Sequence, residues 1–244
     1  MINWRIHHKA ETASTNLDAR SGLHGDVFTA DYQTTGRGRL DHIWESPRGQ
    51  DLLMSVVLSV EGLASEHVST LPLVAGLAVC KAVDSLIPHP SSLIPLLKWP
   101  NDVLVDGRKI AGILCERNGE NVIAGIGINV GQTEFDKEIA DHATSLAAVA
   151  SADVFRLPSS VLSLRDLILA QLAACYSLWR TDGFAAVYPE IAAVDFLKGR
   201  EIAVRQTDDD SAPVSGVSNG IMPDGSLDVG GVKVYAGEAH VEKT

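Results

Sequence analysis

Cysteine is scarce in this 244-residue chain: Cys80, Cys115 and Cys175 are the only three, an odd number at wide spacings. They match no metal-ligand or redox pattern, and such usage fits a reducing compartment. Cys115 and Cys175 sit in apolar runs and read as small core residues. Positive charge is also short, with 20 Lys and Arg against 31 Asp and Glu, a formal net charge of −11. A protein that grips nucleic acid through its phosphates shows the opposite balance. The segment Met1–Glu11 is read as polar in character, with no continuous apolar signal region, and no stretch is read as long enough to span a bilayer. The cytoplasm is therefore the expected location. Missing too are a G-x-x-x-x-G-K-[ST] phosphate loop and an H-E-x-x-H metal motif.

What is present is enough apolar residue, 45% of the chain, to build a core without metal or disulfide. Asn3–Lys9 alternates as a first strand, and Ser14 is set to cap a short helix that runs to Arg20 and ends at Gly22. Asp26–Gln33 and Asp51–Val60 read as buried strands. Ser69–Leu86, with Pro72 in its first turn, reads as a core helix. Strands then follow in close succession: Leu96–Trp99, Val103–Val105, Lys109–Arg117 and Asn121–Val130. Asp106-Gly107 and Asn118-Gly119 mark hairpins between them, so these strands pair antiparallel. Ser159–Arg180 is a long amphipathic helix, with a short one near Phe184–Ala192. Helices gathered beside an antiparallel sheet make an α+β fold. After about Asp195 short β-prone pieces surround the acidic run Asp208-Asp209-Asp210, so residues 1–194 and 195–244 are read as a main domain and a small β appendage.

Basic residues are concentrated locally. "TTGRGRLDHIW", Thr34 to Trp44, places two arginines between and beyond two glycines. Glycine lets a backbone come close to a ligand, and the guanidinium fork suits phosphate or carboxylate. Read alone, the stretch is equally a solvated turn. "LKWPNDVLVDGRKIAGILCE" supplies a rigid corner at Pro100, two oxygen-bearing side chains in Asn101 and Asp102, and Lys109 leading into an apolar run. Near a triphosphate, Asp102 could help hold Mg²⁺, a hard cation. On an acidic body these local cations favour a small phosphorylated ligand over a polymer. "GIGINV" at 125–130 lacks the last glycine of a dinucleotide fingerprint. Gly216-Val217-Ser218-Asn219-Gly220 satisfies G-x-S-x-G, with Asp228 and His240 following in hydrolase order. It lies among short strands rather than at a strand-to-helix turn, which favours a plain β bend.

Five blocks in order carry a resemblance: Ser14-Thr15-Asn16; Gln33-Thr34-Thr35-Gly36-Arg37-Gly38-Arg39; Lys98-Trp99-Pro100-Asn101-Asp102; Arg108-Lys109-Ile110-Ala111-Gly112-Ile113-Leu114; and Gly125-Ile126-Gly127-Ile128-Asn129. Over roughly residues 12–130 the chain closely resembles biotin–protein ligases. The resemblance implies a catalytic domain related to class II aminoacyl-tRNA synthetases and an SH3-like C-terminal domain. It implies that biotin and ATP give biotinyl-5′-AMP and pyrophosphate, and that the biotinyl group then passes to a lysine of a biotin carboxyl carrier domain. By motif position, Ser14, Thr15, Asn16, Gln33, Gly36, Arg37, Gly38, Arg39 and Lys109 line the biotin and adenylate site, with Gly112, Ile113 and Leu114 along the biotin. Trp44, Asn101 and Asn129 fall to the nucleotide, and Lys109, Arg39 and Arg37 are the expected catalytic cations, acting with Mg²⁺. A homodimer is allowed for.

Two departures stand out. Many relatives continue the loop as Arg-Arg-Gly-Arg, whereas this chain reads Arg39-Leu40-Asp41-His42. The Ser-Thr-Asn block begins at residue 14, which leaves no room ahead of it for the helix-turn-helix domain that some relatives carry. With the acidic charge, this predicts no DNA-binding role. Lipoate or octanoate ligases and transferases of the same superfamily are the nearest alternative, and a non-catalytic biotin- or carrier-binding module is the alternative of a different class.

Overall fold

In the computed structural model, residues 2–40, 42–87, 93–150, 158–206 and 212–242 are described. Asp41 of the loop departure and the run Asp208–Asp210 lie outside them. The chain begins with strand β1 (Arg5–Lys9), a helical turn α1 (Thr15–Asp18), and strands β2 (Asp26–Ala30) and β3 (Leu52–Ser59). Helices α2 (Ser65–Val68) and α3 (Leu71–Asp84) come next, then β4 (Leu96–Lys98), β5 (Asp102–Val105), β6 (Arg108–Asn118) and β7 (Asn121–Ile128). Helices α4 (Leu146–Val149), α5 (Pro158–Asp182) and α6 (Phe184–Ala193) precede β8 (Glu201–Arg205), β9 (Val214–Ile221), β10 (Leu227–Val229), β11 (Val232–Val234) and β12 (Glu238–Val241).

Seven strands form one sheet in the order β1-β2-β3-β7-β6-β5-β4. Only β1–β2 is parallel; every other neighbour is antiparallel. The run "LLMSVVLS" is apolar on both faces because β3 lies inside the sheet, buried at all but its last residue. Helix α3 is buried almost all round, as expected of an apolar helix between a sheet and another helix. That outer helix is α5, which buries Leu164, Ile168, Leu169, Leu172, Cys175, Tyr176 and Trp179 along one stripe. The fold is α+β, as the sequence predicts.

Several local expectations are corrected. Residues 65–84 and 160–182 do reach the length and apolarity of a membrane span. In the first, two-thirds of the most apolar window is buried in the core, and in the second a third is. Ser14 occupies the N-cap position with extended backbone, but its side chain makes no capping bond. β1 is exposed at all five residues. The Asp106-Gly107 hairpin is as read, with both residues at positive φ, 54° and 71°. The next turn is shifted by one: Asn118 pairs with Asn121, so Gly119 and Glu120 form the loop. Gly119, at φ 62°, takes the first position, where a II′ turn needs glycine.

The second sheet, β11-β10-β9-β8-β12, is antiparallel throughout. It is stitched to the first part by specific bonds. The Asp195 carboxylate accepts from the Leu197 and Ile221 amides at 2.9 and 2.7 Å. Trp99 Nε1 donates to the Gly225 carbonyl, and Tyr188 Oη to that of Ile221. One continuous apolar cluster runs from Val27 through to Ala239.

Candidate active site

A cleft opens where the two sheets meet. Its inner wall is polar but uncharged. Ser14 enters at the N-cap of α1, Thr15 and Asn16 on its first turn, and Gln33 from the segment after β2. Gln33 Oε1 accepts from both the amide and the hydroxyl of Thr15, at 2.7 and 3.0 Å. Ser55 Oγ, on β3, lies 2.7 Å from Thr15 Oγ1 and 2.6 Å from Asn16 Oδ1. Asn16 Nδ2 donates to Glu116 Oε2 at 2.6 Å. Thr15, Asn16 and Ser55 are buried, Gln33 and Glu116 half-buried, and the bonds among them fix one another. Ile113, Leu114, Leu53 and Met54 supply apolar surface beside them.

The outer part of the cleft is cationic. Arg37, Arg39, Lys98 and Lys109 all line it, against Asp102 and Glu238. Lys109 Nζ lies 2.8 Å from Asp102 Oδ1. That oxygen has no well-angled hydrogen bond, so the contact is an ion pair of poor alignment. Lys98 has its pKa lowered, chiefly by burial, with Lys109 pushing the same way and Asp102 and Glu238 opposing. Arg39 donates to Asn101 Oδ1 at 3.1 Å and to the Gly237 carbonyl from both terminal nitrogens at 3.3 Å. Asn101 in turn donates to the Ile113 carbonyl at 2.8 Å. The loop arginine is thereby held between β6 and the entrance to β12.

Trp44 sits in the cleft over facing glycines. Gly112 and Gly127 are partners in the β6–β7 register. A Cβ on Gly127 would fall 2.5 Å from Trp44 Cε2, and one on Gly112 3.0 Å from Cζ3. Lys109 Nζ lies 5.6 Å from an indole ring centroid, within range of a cation–π contact. Trp44 Nε1 is buried without a hydrogen-bond partner. A Cβ on Gly36 would strike the Trp44 carbonyl at 2.2 Å, so the glycine admits the strand-like return of the loop.

The sequence-predicted residues mostly converge. Ser14, Thr15, Asn16, Gln33, Arg37, Gly38, Arg39, Trp44, Asn101, Asp102, Lys109, Gly112, Ile113 and Leu114 line the cleft. Gly36 lies behind Trp44. Asn129 does not face the cleft; its buried side-chain amide donates to the Thr144 carbonyl at 2.9 Å, holding residues 142–144 beside Lys109, whose amide and carbonyl bond them as well. Ser218 is buried and its hydroxyl accepts from Gly220 N at 3.1 Å. Asp228 is engaged by Asn219 and Gly231, so no serine triad assembles at the G-x-S-x-G bend. Sequence reasoning missed Lys98, although its lysine opens a quoted block, and the contributions of Glu238, Ala239 and His240. Among the described residues no group of three or more His, Cys, Asp or Glu side chains is placed to hold a metal.

The model of the biotin/lipoate A/B protein ligase family matches residues 8–132. The chain is 36% identical over 250 aligned positions to a biotin–[acetyl-CoA-carboxylase] ligase of Mycobacterium tuberculosis, covering 96% of this chain and 88% of that one. Among solved structures it is similar to the biotin protein ligase of Aquifex aeolicus in complex with biotin and ATP, with a TM-score of 0.82, 27% identity and 98% and 99% of the two chains covered. The biotin protein ligase of Leishmania major in complex with biotinyl-5-AMP is similar at a TM-score of 0.63 and 25% identity, over 98% of each chain.

Proposed function

The chain belongs to the biotin/lipoate A/B protein ligase family, and from that membership we propose a biotin–protein ligase whose cleft performs both half-reactions. Biotin and ATP give biotinyl-5′-AMP and pyrophosphate; the biotinyl group then passes to a lysine amine of a biotin carboxyl carrier domain. The observation that carries this reading is the division of one cleft into a neutral hydrogen-bonding wall and a cationic mouth. A ureido ring needs both donors and acceptors in an otherwise apolar slot, and Ser14, Thr15 and Gln33 meet that need beside Ile113 and Leu114. Attack of a carboxylate on a phosphate brings two anions together, so catalysis is alignment and charge neutralisation. Lys109, Arg39 and Arg37 are assigned to that work. Mg²⁺ would be held mainly by the nucleotide's phosphates and its own water, with the Asp102 carboxylate available at the mouth of the cleft.

The Gly-Arg segment and Trp44 shield the mixed anhydride from water. The acidic surface supports a small-molecule and carrier-protein role without DNA. The carrier lysine loses its proton before attack, since a free amine is the nucleophile. Incubation with ATP, Mg²⁺, biotin and an apo-carrier domain, read by intact mass, tests the whole reading. Addition of one biotinyl group is expected, and none when lipoate replaces biotin. An unmodified carrier with no pyrophosphate released would leave only a binding module; lipoylation would transfer the chain to the other branch of its family.

A further inference from the structure

Two residues of the cleft wall converge on a carboxylate that is not itself part of the lining. Asn16 Nδ2 donates to Glu116 Oε2 at 2.6 Å, and Arg37 Nη1 approaches Glu116 Oε1 at 3.5 Å. The contacts differ in kind. Asn16 is buried, its Oδ1 faces Ser55 Oγ at 2.6 Å, and a Cβ on Gly125 would stand 2.2 Å from that same Oδ1. Its Nδ2 lies between two groups that only accept, Glu116 Oε2 and the Leu114 carbonyl at 3.4 Å, so the amide has one orientation and fixes one oxygen of Glu116. Strand pairing fixes the backbone below, with Glu116 opposite Ile123. The contact with Arg37 is long and single, between side chains 47% and 26% exposed. Pairs of that kind contribute little in water and are screened by salt. A planar guanidinium binds far better to an oxyanion that accepts two of its N–H groups in parallel.

Resting on the ligase reading above, we propose that Glu116 is a positioning residue: an anchored counter-ion on which Arg37 rests while the cleft is empty, and from which it transfers to the acyl-phosphate of the adenylate. Parking keeps the arginine beside the cleft and its charge compensated. The looseness of the pair lets a phosphate displace the carboxylate, while Asn16 continues to hold the released Glu116.

E116Q isolates this role, because the glutamine oxygen still accepts from Asn16 while the charge is gone. In the full chain, E116Q is expected to tighten binding of a non-hydrolysable biotinyl-adenylate analogue by about two- to fivefold at low salt. The gain should vanish in an R37M background. Unchanged or weaker binding, or an equal gain without Arg37, would overturn the proposal. A second measurement needs no ligand: trypsin should cut after Arg37 and Arg39 faster in E116Q than in wild type, and equal rates would overturn the parking contact. A wild-type chain that binds no adenylate while this difference in cleavage holds would count against the ligase reading alone.

Discussion

Lys109 is the residue on which the chemistry is expected to turn. It reaches the cleft from the first residues of β6, paired with Asp102 at 2.8 Å and beside the Trp44 ring. Lys109→Ala should lower biotin- and ATP-dependent pyrophosphate release by ~10²-fold or more; near-normal release would remove it from the mechanism. Gly125→Ala probes the opposite wall. Its methyl would displace Asn16 Oδ1, so KM for biotin should rise more than kcat falls. A mutant with unaltered KM would mean that Asn16 is not at the substrate. Asp51 offers a test by pH. It is 2% exposed, accepts from Ser46 Oγ at 2.6 Å and Val130 N at 2.8 Å, and burial pushes its pKa up to about 6 against those bonds. A carboxyl whose folded pKa exceeds its unfolded value binds its proton more tightly in the native state. Its contribution is present below about 4 and lost as the pH rises through about 6. Asp51→Asn should flatten that part of the stability profile in urea melts; an unchanged slope would place the cause elsewhere.

Elements were legible where one local rule governed them. Asp106-Gly107 fixes a hairpin because both residues tolerate left-handed backbone, and the continuous apolar runs of β3 and α3 announce burial on all sides. Boundaries failed where tertiary pairing decides: the β6–β7 turn moved by one residue because the register is set by the Asn118–Asn121 partnership. β1 has almost no apolar burial to hold it. Asp26 ties it instead, accepting from Arg5 Nε at 2.7 Å and lying 3.0 Å from His7 Nε2. Burial alone would raise this carboxyl, but the Leu23 amide, His7 and Arg5 outweigh it and hold the pKa at about 2. The stability this gives is present above about 4 and lost as the pH falls through about 2. Asp26→Ala should speed amide exchange in β1 at neutral pH while β3 and β7 stay protected; uniform loss of protection would show that the edge is not a separate unit. Leu40 carries another local signal, φ 51°, where a side chain is strained and glycine is not.

At the scale of the molecule, the site belongs to both sheets. The neutral wall and the Lys109 strand come from within 130 residues and were readable as ordered blocks. The third side was not, because Arg39 and Gly237 are 198 residues apart and no local pattern ties β12 to a loop near the other end. Glu116 escaped for the same reason: its carboxylate gains meaning only when Asn16, a hundred residues earlier, is folded against it. Since Trp99, Arg39, Tyr188 and Asp195 all bond across the junction, the two sheets should melt together. Tryptophan fluorescence and far-ultraviolet circular dichroism are expected to give one coincident urea transition; separate midpoints would show that the small sheet unfolds by itself.

The bare backbone under Trp44 has one more effect. With glycine on both facing strands, the ring rests on a flat floor and meets no interlocking side chain there, so it can slide aside without repacking β6 or β7. Its orphaned N–H is an open request for an acceptor. Motion of this indole, read as the part of the emission that Trp44→Phe removes from the signal of the four tryptophans, would therefore report when the floor is taken by something else.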